Sequence, residues 1–325
     1  MRAALIVEHG DRSKVVVGEY PKPEPGDREV LIAVKACGLN HLDIFVRRGI
    51  PGRTLKLPHI SGGDVAGEVV ATGNGVTEVR VGDRVMVDPN IGGKALGEDM
   101  TGGLAEFVCV PAENCIPIPE GISYEEAASL PIAYGTAYRM LITRGQIKEN
   151  EIVLILGASG GVGTAAVQLA KLRGAKVIAA AGTDQKLEKL AELGADYLIN
   201  YNKEDFSRKT WEITGKKGAD VVVDYSGKDT WGKSILSTRK GGRILTCGAT
   251  SGFDAVTDLR YVWVREITIL GSNMWQREDL TNLLGLVQNG SLKPIIDRVL
   301  PLEEIREAHR AIEEREIFGK VIIKP

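Results

Sequence analysis

The first third of the chain is built from short apolar runs interrupted by Gly, Pro and Asp. These runs are Val30 to Val34, Val65 to Ala71, Arg84 to Val87 and Ala105 to Val110. Short runs separated by turn-forming residues are typical of β-strands. They predict an all-β, barrel-like domain over residues 1–123.

From Tyr124 onwards, strand-like runs alternate with helical stretches such as Gln185 to Leu193. The six runs are Glu151 to Leu156, Lys176 to Ala181, Tyr197 to Asn200, Asp220 to Asp224, Arg243 to Cys247 and Ile267 to Gly271. Such alternation is typical of parallel sheets with right-handed helical crossovers. We therefore predict an α/β domain over residues 124–272, with a doubly wound, parallel, six-stranded sheet in the strand order 3-2-1-4-5-6.

The last part of the chain is mixed. It predicts a helix near Arg277 to Gln288, a second helix at Leu302 to Glu314 that Pro301 opens, and a closing strand at Lys320 to Lys324. A terminal strand with no sheet of its own is expected to return to the N-terminal domain. Residues 273–325 would then complete that domain, which makes it discontinuous.

A glycine-rich turn follows the first strand of the second domain. Gly157, Gly160 and Gly163 suit a tight turn, a close approach to phosphate and close helix packing, in that order. The expected ligand is a dinucleotide pyrophosphate at the helix N-terminus. The bland alternative is a sharp connection that binds nothing. The predicted contacts are Gly157, Ser159, Gly160, Gly161, Val162 and Gly163.

Composition narrows the possible functions. A chain of 325 residues with 43% hydrophobic and 26% charged residues is an ordinary globular protein of two domains. The net charge of −2 and the lack of a Lys/Arg cluster argue against nucleic acid. No apolar run reaches the ~18 residues of a membrane span, so we expect no membrane partner and a cytoplasmic location. The four cysteines lack C-x-x-C spacing and are expected to be buried apolar residues.

Four motifs in this order resemble the medium-chain dehydrogenase/reductase superfamily. They are Gly38-Leu-Asn40-His-Leu-Asp43, Gly62-Gly-Asp64-Val-Ala-Gly67, Val81-Gly-Asp-Arg-Val85 and Gly160-Gly-Val-Gly163. The resemblance covers essentially the whole chain. It implies a GroES-like β-barrel catalytic domain, a Rossmann domain, and a nicotinamide cofactor in the cleft between them.

Zinc alcohol dehydrogenases of this superfamily carry ligands at positions that are altered here. The corresponding positions hold Asn40, Gly63 and Ala128, none of which can replace thiolates and an imidazole. A short glycine-rich loop at 90–103 replaces the four-cysteine lobe of the structural zinc. We expect neither zinc. A rebuilt site that uses Cys37, His41, His59 and Asp64 is the alternative.

Within the zinc-free branch, the chain is most similar to the NADPH:quinone oxidoreductases. That resemblance implies that Asn40 lines the substrate pocket. Asp43 has no zinc-bound imidazole to orient and is either functional or structural. Leu42 stands where alcohol dehydrogenases have a proton-relaying hydroxyl, so oxidation of simple primary alcohols is not expected.

Cofactor preference is predicted at the end of the second Rossmann strand. Ala181 stands where NAD-binding folds have an acidic residue. Thr183, Lys186 and Tyr201 resemble the phosphate-contacting set of quinone oxidoreductases, which favours NADP(H), although Asp184 could swing back. Further cofactor contacts, from strand ends and from the resemblance, are expected at Thr136, Ser226, Cys247, Gly248, Ser272 and Asn273.

The predicted reaction is hydride transfer from NADPH to a quinone, a conjugated ketone or a bulky cyclic ketone. Asn40, His41 and Tyr134 are the candidates for stabilising the developing oxyanion. His41 could instead contact cofactor phosphates, donate a proton, or be a solvated loop residue. Met274 and Trp275 could wall an apolar pocket, although aromatic residues in this region could also pack between subunits.

Two other functions stay open at this point. One is an alcohol dehydrogenase that interconverts bulky secondary alcohols and ketones. The other is a non-catalytic NADPH-binding protein that lost activity together with zinc. A homodimer or homotetramer is implied by the resemblance alone.

Overall fold

The computed structural model describes residues 1–50, 52 and 54–325. Contacts divide the chain into two compact units, one comprising Met1–Ala133 with Leu280–Pro325 and the other Tyr134–Asp279. The sequence pattern places the changes at 123/124, where a helix begins, and at 272/273, shortly before another helix. In the structure these helical segments run on across the boundaries between the units.

The first unit begins with β-strands and two helices. In chain order they are β1 Arg2–Ile6, β2 Val15–Glu19, β3 Glu29–Leu39, α1 His41–Arg48, β4 Asp64–Thr72, β5 Arg84–Val87, β6 Asn90–Ile91, β7 Lys94–Ala95, β8 Phe107–Pro111, β9 Cys115–Pro117 and α2 Tyr124–Ser129. Single 3-10 turns lie at Arg12–Lys14 and Ala112–Asn114. The helix α1 was not predicted from the sequence.

The second unit alternates strands and helices. After a π-helical turn at Leu130–Tyr134 come α3 Gly135–Tyr138, a second π-helical turn at Arg139–Arg144, β10 Ile152–Ile155, α4 Gly161–Leu172, β11 Lys176–Ala181, α5 Asp184–Glu192, β12 Tyr197–Asn200, α6 Phe206–Ile213, β13 Ala219–Val223, α7 Trp231–Ser237, β14 Thr238–Thr246, α8 Leu259–Val264 and β15 Thr268–Gly271.

The chain then returns to the first unit. The elements are α9 Arg277–Gln288, β16 Ile296–Pro301, α10 Ile305–Glu313 and β17 Lys320–Lys324. A 3-10 turn at Leu302–Glu304 separates β16 from α10, so the predicted helix at 302–314 is shorter than expected. The strand β16 was missed, because its polar residues interrupt the apolar pattern.

The main sheet of the first unit has the order β16-β17-β3-β4-β5-β9, and β8 also pairs with β3. The terminal strand β17 runs antiparallel to β3, with Val321 opposite Leu39 and Ile323 opposite Cys37. This pairing confirms that the C-terminal strand returns to the N-terminal domain. Alternate residues of β3 and β4 point into a shared apolar core.

The sheet of the second unit has the order β12-β11-β10-β13-β14-β15, and every pair is parallel. This confirms the predicted order 3-2-1-4-5-6. Val153, Leu154 and Ile155 of the central strand are fully buried, as expected for a parallel sheet that is covered on both faces. The strand β15 forms one edge and exposes Ile269. No helix in the described residues has the length and apolar character that crossing a bilayer requires.

Candidate functional site

In the first unit, Asn40 lies between β3 and α1 and is held by a buried carboxylate. Its Nδ2 donates to Asp64 Oδ2 at 2.8 Å and more weakly to the Gly38 carbonyl at 3.4 Å. Asp64 begins β4 and is fully buried. The antiparallel pairing of β3 with β4 places Gly38 opposite Asp64, which brings the asparagine within reach of the carboxylate.

A buried lysine completes this cluster. Lys320 Nζ donates to Asn40 Oδ1 at 2.6 Å, to Asp64 Oδ2 at 2.8 Å and to the Leu39 carbonyl at 3.1 Å. An ammonium group has three donors, so all of them are used. The sequence analysis missed Lys320, although a lysine that opens the apolar run after Gly319 was an available signal. We call Asn40, Asp64 and Lys320 the lysine cluster.

A second buried carboxylate lies beside the lysine cluster. Asp43 accepts from the Asn40 amide and from the Gly62 amide, both at 2.8 Å. Burial, opposed by these bonds and assisted by the charge of Asp64, raises the pKa of Asp43 to about 6. The second oxygen of Asp64 accepts from the Ile132 amide at 2.7 Å. Every strong acceptor around the asparagine is therefore occupied by the protein itself.

The residues at the former zinc positions do not fit a catalytic zinc. A side chain at Gly63 would meet the Leu96 carbonyl at 2.9 Å, so the structure has no room there for an imidazole. Ala128 is a buried apolar residue. The ammonium of Lys320 contacts Asn40 directly, and a fixed positive charge there opposes a second cation.

The alternative site at Cys37, His41, His59 and Asp64 is also unsuited to a metal. Burial raises the pKa of the Cys37 thiol well above its usual value, which disfavours the thiolate a metal needs. His59 Nε2 lies 3.1 Å from the Gly97 carbonyl. Within the described residues, no three His, Cys, Asp or Glu side chains come together closely enough to hold an ion.

The other catalytic candidates lie in different surroundings. His41 is the first residue of α1 and is exposed, with its ring centroid 6.5 Å from that of Phe45. Tyr134 is fully buried in the second unit, where its hydroxyl accepts from Gln168 Nε2 at 3.3 Å. Trp275 is buried and Met274 is half-buried, both in the second unit. The structure therefore places Asn40 and His41 side by side in one unit, and the other three in the second unit.

The glycine-rich turn joins β10 to α4. Gly157 has a φ of +62°, which favours glycine, and Tyr225 donates its hydroxyl hydrogen to the Gly157 carbonyl at 2.9 Å. A Cβ at Gly163 would lie 2.4 Å from the Gly157 carbonyl oxygen, so α4 packs against the turn only without a side chain there. No acidic residue occupies the first turn of α4. Free amides at this helix N-terminus can hold a phosphate.

Residues proposed to set the cofactor preference lie at the end of β11 and the start of α5. Ala181 is buried, and Thr183 caps α5 by accepting from the Lys186 amide at 3.4 Å. Asp184 is engaged by Asn200 Nδ2 at 2.7 Å and by the ammonium of Lys203, which together lower its pKa.

Behind this end of β11, Asn202 Nδ2 donates to the Gly182 carbonyl at 2.8 Å, and Tyr201 lies close to Gly182. Lys203 was not singled out from the sequence, because its role depends on the fold of the β12 turn.

Two further features lie at the carboxyl ends of β13, β14 and β15. Asp224 is fully buried and accepts from the amides of Ser226 and Gly227 at 2.9 and 3.1 Å, which fixes this turn. A cavity of about 400 Å³ is lined by Arg139, Arg144, Cys247, Ser272 and Asn273 among others. Burial raises the pKa of Cys247 to about 12, so its thiol is protonated. Thr136 is half-buried and Gly248 is exposed, both within the same unit.

Comparisons with known proteins agree with this architecture. Residues 26–120 match the family model for the alcohol dehydrogenase GroES-like domain, and residues 161–289 match that for zinc-binding dehydrogenase. Human quinone oxidoreductase is 32% identical over 319 residues, which cover 96% of this chain and 94% of the relative.

Solved structures give the same result. A structure titled NAD-dependent alcohol dehydrogenase is 39% identical, with a TM-score of 0.95 and full coverage of both chains. A crotonyl-CoA carboxylase/reductase, AntE, in complex with NADP is 26% identical, with a TM-score of 0.91 over 100% of this chain and 94% of that one. The chain therefore belongs to the medium-chain dehydrogenase/reductase superfamily and is an oxidoreductase with a GroES-like domain and a Rossmann domain.

Proposed function

We propose that this protein is a zinc-independent, NADPH-dependent reductase of quinones and other activated carbonyl compounds. The observation that carries the proposal is the lysine cluster. Its three members satisfy one another around Asn40, which stands at one of the positions where zinc enzymes of the superfamily bind their metal. The 32% sequence identity to human quinone oxidoreductase supports quinones as the class of acceptor.

The loss of a Lewis acid limits the substrates. Without a metal to polarise a carbonyl, the acceptor must already be electrophilic, as quinones and conjugated ketones are. When bound, the cofactor supplies hydride from C4 of its nicotinamide ring. The protein contributes binding, orientation and hydrogen bonds to the oxygen on which negative charge develops.

His41 is the preferred donor to that oxygen. Both amide hydrogens of Asn40 are directed to protein acceptors, and its carbonyl accepts from Lys320. Asn40 therefore shapes the pocket in a fixed orientation, whereas His41 is an exposed residue at the start of α1 whose pKa is lowered by desolvation of the imidazole. Tyr134 is the second candidate, with a fully buried side chain whose hydroxyl accepts from Gln168.

The preference for NADPH rests on the charges near the end of β11. Ala181 offers no carboxylate to repel a 2′-phosphate. The nearby carboxylate of Asp184 is paired with the ammonium of Lys203. Lys186, Lys203 and Tyr201 are the proposed phosphate contacts. The NADP complex of the AntE reductase supports this choice, whereas the structure titled NAD-dependent makes NADH the required comparison.

Steady-state kinetics with a panel of acceptors test the proposal. We expect NADPH oxidation with a naphthoquinone and a conjugated enone, slower turnover of a bicyclic aryl ketone, and no NADP reduction by a simple primary alcohol.

His41→Phe should lower kcat about 100-fold without changing the Kd of NADPH. His9→Phe, a change at another histidine of the same unit, is the matched control. Equal kcat in both variants would remove His41 from the reaction.

A second candidate function is supported by the structure titled alcohol dehydrogenase at 39% identity. In that case, the protein would interconvert bulky secondary alcohols and ketones. NADP reduction by a bicyclic secondary alcohol, at a rate above quinone reduction, would favour it. Tight NADPH binding with no turnover of any acceptor would favour a non-catalytic binding protein instead.

We also propose that the protein forms a homodimer or homotetramer through its second unit. Phe253, Val256 and Trp263 are large apolar residues that are well exposed, and the neighbouring strand β15 has an open edge. Exposed apolar patches next to an unpaired strand edge favour association. Sedimentation velocity of the wild type and of Trp263→Lys tests this, with dissociation expected in the variant.

A further inference from the structure

The cavity at the ends of β14 and β15 contains an unusual arrangement of positive charge. Arg139 and Arg144 line it together with Ser272 and Asn273. Both arginines come from the π-helical turn Arg139–Arg144. In an α-helix, residues five positions apart face different directions, whereas the wider π-helix closes a turn in about five residues. The Gly145 amide donates to the carbonyl of Met140, five residues earlier, at 2.8 Å, which is the hydrogen-bond pattern of a π-helix.

Two buried polar atoms at this cavity have no hydrogen-bond partner within the described chain. They are Arg139 Nη1 and Ser272 Oγ. The nearest carboxylate to the arginine is that of Asp279, whose Oδ2 lies 3.6 Å from Nη1. The two oxygens of Asp279 already accept from Thr143 Oγ1 and from the Gln276 amide, each at 2.8 Å. Buried polar groups in native proteins are normally satisfied, so these two require an explanation.

The second arginine, Arg144, is held in place by one hydrogen bond that uses only one of its nitrogens. Arg144 Nε donates to the Gly271 carbonyl at 3.1 Å, which ties the side chain to the end of β15 and leaves its terminal nitrogens for another partner. The carboxylate of Asp279 pairs with Arg139, and Arg144 brings a second guanidinium group to the cavity. The cavity therefore has an excess of positive charge, fixed donors and one free hydroxyl.

We infer that this cavity binds an oxyanion, a carboxylate or phosphate group, through Arg139, Arg144 and Ser272. Planar guanidinium groups match the paired oxygens of such an anion, and the serine hydroxyl supplies one more donor. An uncharged amide could satisfy Ser272 but not the two cations. The site lies at the carboxyl ends of parallel strands, where doubly wound sheets bind ligands. The anion is either free or an acidic substituent of the substrate.

Titration calorimetry with inorganic phosphate tests the site directly, first with cofactor-free protein and then with protein saturated with NADP, which occupies the cofactor's own phosphate positions. We expect the cofactor-free wild type to bind phosphate. If NADP leaves the cavity open, phosphate should also bind to the NADP-saturated protein, and if NADP fills the cavity, this second binding should be lost. Arg144→Gln should weaken this binding about tenfold. Because Arg144 is exposed, the variant is expected to fold.

Arg173→Gln is the matched control. Arg173 is also exposed in the second unit and also donates through Nε to one backbone carbonyl, that of Ile147 at 3.4 Å. Ser272→Ala adds a readout that a structural serine would not give. It should weaken phosphate binding severalfold while leaving the melting temperature unchanged, because the Ser272 hydroxyl has no hydrogen-bond partner among the residues that the structure describes. Arg139→Lys keeps the charge and removes the guanidinium fork, and should weaken binding in the same direction.

A pair of acceptors identifies the source of the anion. If the substrate carries it, a carboxylated naphthoquinone should have a lower KM than the uncharged compound, and Arg144→Gln should abolish the difference. Equal KM values with intact phosphate binding would indicate a free anion. If neither quinone is reduced but phosphate still binds, the proposed reductase activity fails and the anion site stands. Identical phosphate isotherms for the wild type, Arg144→Gln and Arg173→Gln, or none at all, would overturn the inference.

Discussion

Two clusters of charge, one in each unit, differ in how completely the protein satisfies them. In the lysine cluster, the ammonium of Lys320 donates to three protein oxygens. The cavity lined by Arg139, Arg144 and Ser272 is called the arginine cavity here. In it, Arg139 Nη1 and Ser272 Oγ have no hydrogen-bond partner among the described residues. The lysine cluster is closed, because all donors of its ammonium group are used, and it fixes the geometry of its neighbours. The arginine cavity is an open cluster, because some of its donors are unused, and these can bind a ligand. Satisfaction of donors, more than charge itself, separates positioning residues from binding residues here.

The largest effect should follow from breaking the closed cluster. Lys320→Met leaves Asp64 buried without its countercharge. We expect a loss of about 3–5 kcal/mol in the free energy of unfolding, measured by urea denaturation. Asn40 would also lose the partner of its carbonyl oxygen, so KM for quinones should rise.

Lys324→Met on the same strand is the matched control. Lys324 pairs with Glu125 at 2.8 Å but has an exposed side chain, so its loss should cost less than about 1 kcal/mol. The double variant Lys320→Met with Asp64→Leu should recover much of the loss, because no unpaired charge remains. Equal costs for the two lysine variants would contradict the role assigned to the lysine cluster.

The pH dependence of stability should reveal two opposed titrations in the first unit. His309 is buried and accepts from Arg47 Nη1 at 3.1 Å, and burial with the Arg47 charge lowers its pKa from 6.5 to about 4. The unfolded state then binds more protons between pH 4 and 6.5, so His309 makes stability rise with pH there. Asp43 has its pKa raised from 3.8 to about 6. The stabilisation that the protonated Asp43 carboxyl contributes to the folded state is fully present below pH 3.8 and is lost as the pH rises through 6.

Substitutions should separate these titrations, each of which amounts to about 3 kcal/mol at most. In the wild type the two slopes largely cancel between pH 4 and 6. Asp43→Asn should leave a free energy of unfolding that increases with pH in this range, and His309→Gln one that decreases. Urea denaturation at several pH values measures both. Parallel pH profiles in the two variants would show that these assignments are wrong.

A smaller effect on stability is expected at the glycine-rich turn. Gly163→Ala forces a Cβ against the Gly157 carbonyl, at a cost of about 1–3 kcal/mol. NADPH affinity should fall at least about tenfold, because the turn must shift away from the phosphates. Gly285→Ala is the control, since a Cβ there meets nothing within 4 Å and the helix α9 gains propensity. Unchanged NADPH affinity in Gly163→Ala would mean that the turn does not hold the cofactor.

The smallest effect is expected at the open cluster. Ser272→Ala should change the free energy of unfolding by less than about 0.5 kcal/mol, because no hydrogen bond within the described residues is lost. Differential scanning calorimetry of the cofactor-free protein measures this. A clear destabilisation would show that the hydroxyl has a structural partner and would remove the contrast between the two clusters.

The sequence predicted the features that local patterning controls. Six apolar runs in alternation with helices were enough for the order of the parallel sheet, because crossover handedness leaves few alternatives. The glycine-rich turn was predictable because its glycines suit a specific backbone conformation. The register that places Lys320 beside Asn40 joins residues far apart in sequence, and no local pattern encodes it.

Cys247, Ser272 and Asn273, which line the arginine cavity, were expected from the sequence as cofactor contacts, whereas its two arginines were not. Arg139 and Arg144 lie five apart, a spacing that an α-helix would place on different faces. Only the π-helical winding brings both to one cavity, and propensities do not indicate a π-helix. His309 also carried no signal, since its low pKa arises from burial next to Arg47.

The metal requirement of quinone reduction is the decisive measurement for this protein. NADPH oxidation by a naphthoquinone is followed at a single enzyme concentration after exhaustive chelation and metal analysis, and again after addition of zinc. We predict an unchanged rate in the metal-free protein and no gain with zinc, because the ligand positions hold Asn40, Gly63 and Ala128 and the ammonium of Lys320 contacts Asn40. A reaction that appears only when zinc is added would contradict the assignment of Asn40, Gly63 and Ala128 as positions without a metal.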